Sequence, residues 1–139
     1  AGLLNLRPLQ DFEGQAAMEL EALVRCPHAL DDGYRLDNGV LDFLPLLRAL
    51  AGGDLDRRAA AEVFHGTLIA GVAAWIAAAA PRGAVIALGG GCMMNRTLAD
   101  GLCDALRMRG LRPLLARAVP PNDGGLSLVQ AALALAQFR

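Results

Sequence analysis

Lysine is absent from this 139-residue sequence, in which all 13 basic residues are arginine. This absence excludes a Schiff-base lysine, a P-loop lysine and a lysine general base. The net charge is −1, and the arginines form no cluster along the sequence. We therefore expect neither a nucleic-acid groove nor a surface for anionic membranes, because both normally show a basic stripe.

The sequence also has no Cys-x-x-Cys pair, and its three cysteines, Cys26, Cys92 and Cys103, cannot all pair with one another. Neither a zinc knuckle nor a thioredoxin-like site is expected. An odd number of cysteines is typical of a reducing compartment, so we expect a cytoplasmic location. The longest apolar run, residues 68–80, is shorter than a bilayer span, so no membrane partner is expected.

Hydrophobic residues make up 55% of the sequence and charged residues 19%, which favours a compact domain over disorder. A chain of this length buries about two thirds of the surface that its unfolded form exposes. We expect a single domain over residues 1–139.

The first half of the sequence predicts two helices and a hairpin. Residues 12–25 place their apolar side chains on one helical face, with Asp11 as the N-cap. Asn38-Gly39 between alternating apolar residues predicts a tight β-hairpin. A short helix over about residues 44–51 follows.

A long alanine-rich helix is predicted next, capped by Asp54 or Asp56 and extending to about Ala80. Its last turns are apolar nearly all round, so we expect that end to be buried.

The last third predicts a strand–helix–strand–helix unit over about residues 84–88, 95–108, 112–117 and 126–137. The first strand is apolar without alternation, which favours a parallel strand covered on both faces. The sequence therefore predicts an α/β fold, with a C-terminal βαβα unit preceded by helices and a β-hairpin.

The first candidate site is the glycine triplet Gly89, Gly90 and Gly91, between the carboxyl end of a strand and the start of a helix. Ligands of open α/β sheets bind at this position, where glycine exposes the backbone and the helix terminus supplies free N–H groups. A tight turn without a ligand explains the triplet equally well. Asn95 opens the helix and is either its N-cap or a hydrogen-bonding partner of a base or ribose.

The second candidate is Asp123, in the segment Pro-Pro-Asn-Asp-Gly-Gly at residues 120–125. It either caps the last helix or contributes to a site for a hard cation or iron. One carboxylate is not a metal site, and neither His28 nor His65 lies at ligand spacing from it. His65 falls within the long helix, where a packed or surface role is more usual than catalysis.

Four segments in this order resemble one known family: FEGQAAMELEAL, VFHGTLIAGVA, ALGGGCMMNRTLADGL and VPPNDGGLSLVQAALALA. They closely resemble the carboxy-terminal part of HypF-type carbamoyltransferases, which act in [NiFe]-hydrogenase maturation. The resemblance covers nearly the whole chain. It extends more distantly to TsaD-type tRNA-modifying proteins and antibiotic O-carbamoyltransferases. It implies one partial lobe of an actin-like ATPase, RNase H-like fold.

By matching position, the resemblance implies that Gly89, Gly90, Gly91 and Asn95 line an adenine-nucleotide cleft. It implies that Asp123 binds a divalent metal, which would be Mg, Fe or Zn. In the family, ATP and carbamoyl phosphate form a carbamoyl-adenylate, and the carbamoyl group passes to the C-terminal cysteine of a HypE-like acceptor. His65 lies at a position typical of the family, in the VFHGTL segment. The resemblance assigns no role to His65.

The family's histidine-rich metal motif and its other domains are absent from these 139 residues. Where the family usually has an aliphatic residue, an aromatic residue and glutamine or glutamate, this chain has Cys92, Met93 and Met94. We expect half of an active site, inactive on its own. The alternative is a non-catalytic interaction module, which could form a homodimer. A tRNA-modifying role is less favoured, because no basic surface is evident.

Overall fold

The structure is a computed structural model that describes residues 1–116 and 118–137. Within these described residues, five α-helices, four short strands and two 3₁₀ turns follow one another. In order these elements are α1 (Gln15–Ala22), β1 (Arg35–Asp37), β2 (Val40–Asp42), α2 (Leu44–Ala51), α3 (Arg57–Ala79), β3 (Val85–Leu88), a 3₁₀ turn (Gly91–Met94), α4 (Arg96–Met108), β4 (Arg112–Leu115), a second 3₁₀ turn (Asp123–Gly125) and α5 (Leu126–Gln137).

Helix α3 is the central element, and two hydrophobic cores of the described residues pack against it. One core lies between α3, α4 and the β3–β4 sheet, with Leu106 fully enclosed. The other lies between α3 and α2, with Leu46 fully enclosed. The predicted α/β architecture is confirmed, because helices pack on a parallel strand pair that α4 connects.

The start of α3 follows from its cap. The Asp56 Oδ1 atom accepts a hydrogen bond from the Ala59 N–H at 2.8 Å, which satisfies one of the unpaired donors of the first turn. The expectation of a buried C-terminal end is wrong, because Trp75 is 43% exposed. Only one side of this end packs on the core. On the other side, the Trp75 indole N–H donates a hydrogen bond to the Gly39 carbonyl oxygen at the hairpin tip, at 2.7 Å.

By length and composition alone, α3 is also long and apolar enough to cross a membrane. Its contacts with α4, α2 and the hairpin are those of a core helix, which passes the same test.

An irregular segment over residues 25–30 crosses α3 at Gly66. The Glu62 carboxylate accepts two backbone N–H groups from the start of this segment, at 3.0 and 3.1 Å. These hydrogen bonds, first from the Cys26 N–H and then from the Arg25 N–H, lower the pKa of Glu62 below its usual value. The Thr67 hydroxyl accepts the Leu30 N–H at 2.9 Å. The segment is thus fastened on both sides of the crossing.

Strands β3 and β4 pair in parallel, from Val85 opposite Arg112 to Leu88 opposite Leu115. One face of this pair packs on the core. On the other face Val85 is 57% exposed and Leu114 62% exposed. The expectation of cover on both faces is wrong for the described residues, because α3 and α4 both lie on the same side of the sheet.

Other elements differ from prediction mainly at their ends. Helix α1 is shorter than predicted, and Asp11 is not its N-cap: Gly14 holds that position in a left-handed conformation, with φ 83°. The Gln15 side chain instead accepts the Asp11 N–H at 2.7 Å. Strand β4 ends before the predicted boundary at Arg117, which lies outside the described residues. The hairpin at Asn38-Gly39 is confirmed.

Candidate functional site

The chain leaves strand β3 through the triglycine corner, which comprises Gly89, Gly90 and Gly91. Gly90 has φ 96° and ψ 166°, a backbone conformation that is open essentially only to glycine. A Cβ atom added at Gly90 or Gly91 would meet nothing within 4 Å among the described residues. Backbone conformation therefore explains the glycine at position 90, whereas neither conformation nor packing within the described chain explains the one at position 91.

Residues 120–125 form the second glycine-rich segment, here called the PPNDGG turn. The Asn122 Oδ1 atom accepts the Gly124 N–H at 3.1 Å, so Asn122 rather than Asp123 caps the 3₁₀ turn that leads into α5. Gly125 is buried, and a Cβ atom there would lie 2.7 Å from the Pro120 carbonyl oxygen. Asp123 is exposed, and its side chain makes no hydrogen bond within residues 1–116 and 118–137.

These two segments touch. The Gly90 N–H donates to the Pro121 carbonyl oxygen at 2.6 Å, and a Cβ atom at Gly89 would stand 3.8 Å from the same oxygen. Because the contact lies beyond the carboxyl end of β3, it is placed where open α/β sheets bind ligands. The structure therefore brings the predicted residues Gly89, Gly90, Gly91 and Asp123 into two adjoining turns.

Asn95 caps helix α4 as predicted: its Oδ1 atom accepts the Leu98 N–H at 2.8 Å. The N–H groups of Thr97 and Leu98, expected to be free at this helix terminus, are both already paired, however. The Glu21 carboxylate of α1 accepts the Thr97 N–H at 3.1 Å and brings a negative charge to the terminus. An anionic ligand would be repelled there, so the exposed backbone of the triglycine corner is the more suitable place for phosphate.

His65 is joined to Asn95, a contact that the sequence did not predict. The imidazole is 2% exposed, and its Nδ1 atom lies 2.8 Å from the Ala61 carbonyl oxygen. Its Nε2 atom lies 2.9 Å from the Asn95 Nδ2 atom. The two residues are 30 positions apart, and no spacing rule pairs a mid-helix histidine with the cap of another helix. Glu21 was missed for the same reason.

The described residues do not hold a metal ion by themselves. They contain no group of three His, Cys, Asp or Glu side chains in a suitable arrangement. Asp123 offers one carboxylate, whereas both ring nitrogens of His65 are engaged in hydrogen bonds. Divalent cations need several ligands, so Asp123 can be at most one contributor to a site completed elsewhere.

Comparison with known proteins gives consistent matches. The family described as "Carbamoyltransferase, Kae1-like Domain, second subdomain" matches residues 1–130. The chain is 56% identical to carbamoyltransferase HypF of Rhizobium leguminosarum bv. viciae, over 96% of this chain and 18% of that protein. It is 40% identical to HypF2 of Cupriavidus necator, over 97% of this chain and 21% of that protein.

A crystal structure of full-length HypF in the phosphate- and nucleotide-bound form superimposes with a TM-score of 0.74 at 30% identity, over 94% of this chain and 18% of that one. The α/β fold is therefore that of the second subdomain of a Kae1-like domain. The chain belongs to the HypF carbamoyltransferase family, which confirms the resemblance drawn from its motifs. It spans about a fifth of the length of these relatives.

Proposed function

We propose that the chain supplies one wall of the adenine-nucleotide cleft of a HypF-type carbamoyltransferase that acts in hydrogenase maturation. The observation that carries this proposal is the hydrogen bond from the Gly90 N–H to the Pro121 carbonyl oxygen, at 2.6 Å. It holds the triglycine corner against the PPNDGG turn. The wall thus joins a backbone surface suited to phosphate with an exposed carboxylate suited to a cation.

The triglycine corner is the proposed nucleotide contact. Its backbone is exposed, and a side chain at Gly91 would find open space that a ligand could use instead. Asn95 stands at the far end of the following turn and has one amide proton beyond the hydrogen bond it gives to His65. A full-length HypF relative at 30% identity has been solved in a phosphate- and nucleotide-bound form, which supports nucleotide binding by the longer protein.

Asp123 is the proposed metal contact. ATP binds with a divalent cation, Mg, Fe or Zn in this proposal, and such a cation would neutralise charge on the phosphates. In the 139-residue chain the remaining ligands would be the ATP phosphates and water, because Asp123 offers a lone carboxylate.

The proposed reaction is carbamoyl transfer by the longer protein. ATP and carbamoyl phosphate would form a carbamoyl-adenylate in the cleft, and the thiolate of the C-terminal cysteine of a HypE-like acceptor would take the carbamoyl group. Within the described wall, Asp123 is the one ionisable side chain of the two turns. We therefore propose that the 139 residues alone bind nucleotide weakly and do not catalyse the transfer.

A non-catalytic interaction module is the second candidate, and the open apolar surfaces favour it. Helix α5 has no buried residue within the described part of the chain, although it carries several large apolar side chains. The outer face of the β3–β4 sheet is also exposed. A stable dimer in light scattering, unaffected by ATP, would favour this candidate over the nucleotide cleft.

Replacing Asp123 by Asn tests the metal contact. We expect the free energy of unfolding to change by less than about 0.5 kcal/mol, because Asp123 makes no side-chain hydrogen bond within the described residues. We expect the Mg²⁺-dependent part of ATP binding to be lost. Urea unfolding and ATP titration of the 139-residue chain, with and without Mg²⁺, measure the two quantities.

Asn122→Ala is the matched control. It removes the cap on the Gly124 N–H and should cost about 1 kcal/mol of stability, while Asp123 still supports the Mg²⁺ dependence. An Asp123→Asn variant that binds Mg²⁺-ATP like the wild type would rule out the metal role. A wild-type chain that binds no ATP would contradict the proposed function itself.

A further inference from the structure

We propose that His65 is a positioning residue for the nucleotide contact: it sets the orientation of the Asn95 carboxamide beside the triglycine corner. This inference rests on the proposed function. It assigns a role to a buried histidine of the central helix that lies outside the two turns of the site.

The hydrogen bonds of His65 determine which ring nitrogen carries its proton. The Ala61 carbonyl oxygen can only accept, so the Nδ1 atom 2.8 Å away must be the donor. In the neutral imidazole the Nε2 atom is then an acceptor. The Asn95 Nδ2 group, 2.9 Å away, supplies the matching donor.

The orientation of Asn95 is determined at its other end as well. Its Oδ1 atom accepts the Leu98 N–H at 2.8 Å, so the oxygen faces the helix and the nitrogen faces His65. Rotating the amide by half a turn would set its oxygen against the Nε2 lone pair and its N–H groups against the Leu98 N–H. Both hydrogen bonds would be lost together, so the network admits one orientation.

The network connects a rigid part of the molecule to the candidate site. His65 is held in the buried middle of α3 and stacks edge-on against Phe64, with ring centroids 5.4 Å apart. Asn95 directly follows the 3₁₀ turn that begins at Gly91. Under the proposed function, a ligand that extends from the corner backbone to Asn95 would meet an amide group whose direction α3 has already set, which reduces the entropy lost on binding.

Two substitutions separate this role from simple packing, because each retains a different half of the network. In His65→Gln the side-chain oxygen reaches the place of Nε2 and can still accept from Asn95, but the hydrogen bond to Ala61 is lost. In His65→Asn the side-chain amide reaches the place of Nδ1 and can still donate to Ala61, but Asn95 loses its partner. Both variants remove one hydrogen bond, so a purely structural role predicts similar losses of stability and equal effects on binding.

The test is ATP titration of the folded 139-residue chain and its two variants, with melting curves as the measure of stability. We expect His65→Asn to bind ATP about tenfold more weakly than the wild type and His65→Gln to stay within about threefold of it, as one net hydrogen bond allows. Equal affinities for the two variants would overturn the role of His65 alone. No ATP binding by the wild type would overturn the proposed function, and this role with it.

A second measurement does not depend on the variants folding. The ¹⁵N chemical shifts of the His65 ring in the wild-type chain report which nitrogen is protonated. We expect a protonated Nδ1 and an unprotonated Nε2 at neutral pH, and the same tautomer when ATP is bound. A protonated Nε2 would overturn the proposal, because two donors would then face each other between His65 and Asn95.

Discussion

Replacing Gly66 by Ala is expected to prevent stable folding or to lower the free energy of unfolding by at least about 3 kcal/mol. A Cβ atom at this position would overlap the backbone nitrogen, carbon and oxygen of His28, far inside van der Waals contact. The segment over residues 25–30 could not move away freely, since Glu62 and Thr67 hold it on both sides of Gly66. Urea unfolding followed by helical circular dichroism measures the loss.

Gly101→Ala provides the control for this substitution. Gly101 also lies within a helix, and a Cβ atom there would overlap the end of the Ile69 side chain, which can change its rotamer. Both substitutions add the same methyl group and the same gain in helix propensity. We expect the Gly101 variant to lose no more than about 2 kcal/mol. Equal losses in the two variants would show that segment 25–30 does not lie against α3 as described.

Replacing Gly91 by Ala is expected to weaken ATP binding at least tenfold while leaving the protein as stable as the wild type, or more stable by up to about 1 kcal/mol. The added methyl group meets no atom within 4 Å among the described residues, and the backbone of Gly91 is not left-handed. The methyl group would therefore clash with a ligand that lies against the backbone. ATP titration and urea unfolding of the same variant measure both effects.

Gly90→Ala shows what strain in the same corner would do. Its backbone conformation disfavours any side chain, and we expect a loss of about 1–3 kcal/mol in stability. We therefore expect Gly91→Ala to lose ATP affinity but no stability, whereas Gly90→Ala loses stability. If Gly91→Ala bound ATP like the wild type, the nucleotide would not lie on the corner backbone.

Features of the fold that depend on neighbouring residues could be predicted from the sequence. Asp56 and Asn95 begin their helices as expected, because a short polar side chain satisfies an N–H three residues ahead of it. Asn38-Gly39 forms the hairpin, because both residues take positive φ there. The strand–helix–strand order near the carboxyl end was likewise readable from the pattern.

Features that depend on contacts between distant segments could not be predicted. Glu21 occupies the start of α4 and His65 binds Asn95, yet both pairs are far apart in sequence. The outer face of β3 is open because of where α3 and α4 pack, which an apolar run does not reveal. The contact between the triglycine corner and the PPNDGG turn likewise joins segments that are distant in sequence, which no spacing rule pairs.

In the proposed function, these two turns form one wall against which an adenine nucleotide binds. The most direct test is to follow the backbone amide signals of the ¹⁵N-labelled 139-residue chain during titration with ATP and Mg²⁺. We expect saturable shifts concentrated in residues 89–95 and 121–125. Shifts confined to the β1–β2 hairpin or to α2, or none at millimolar ATP, would mean that the nucleotide does not bind this wall.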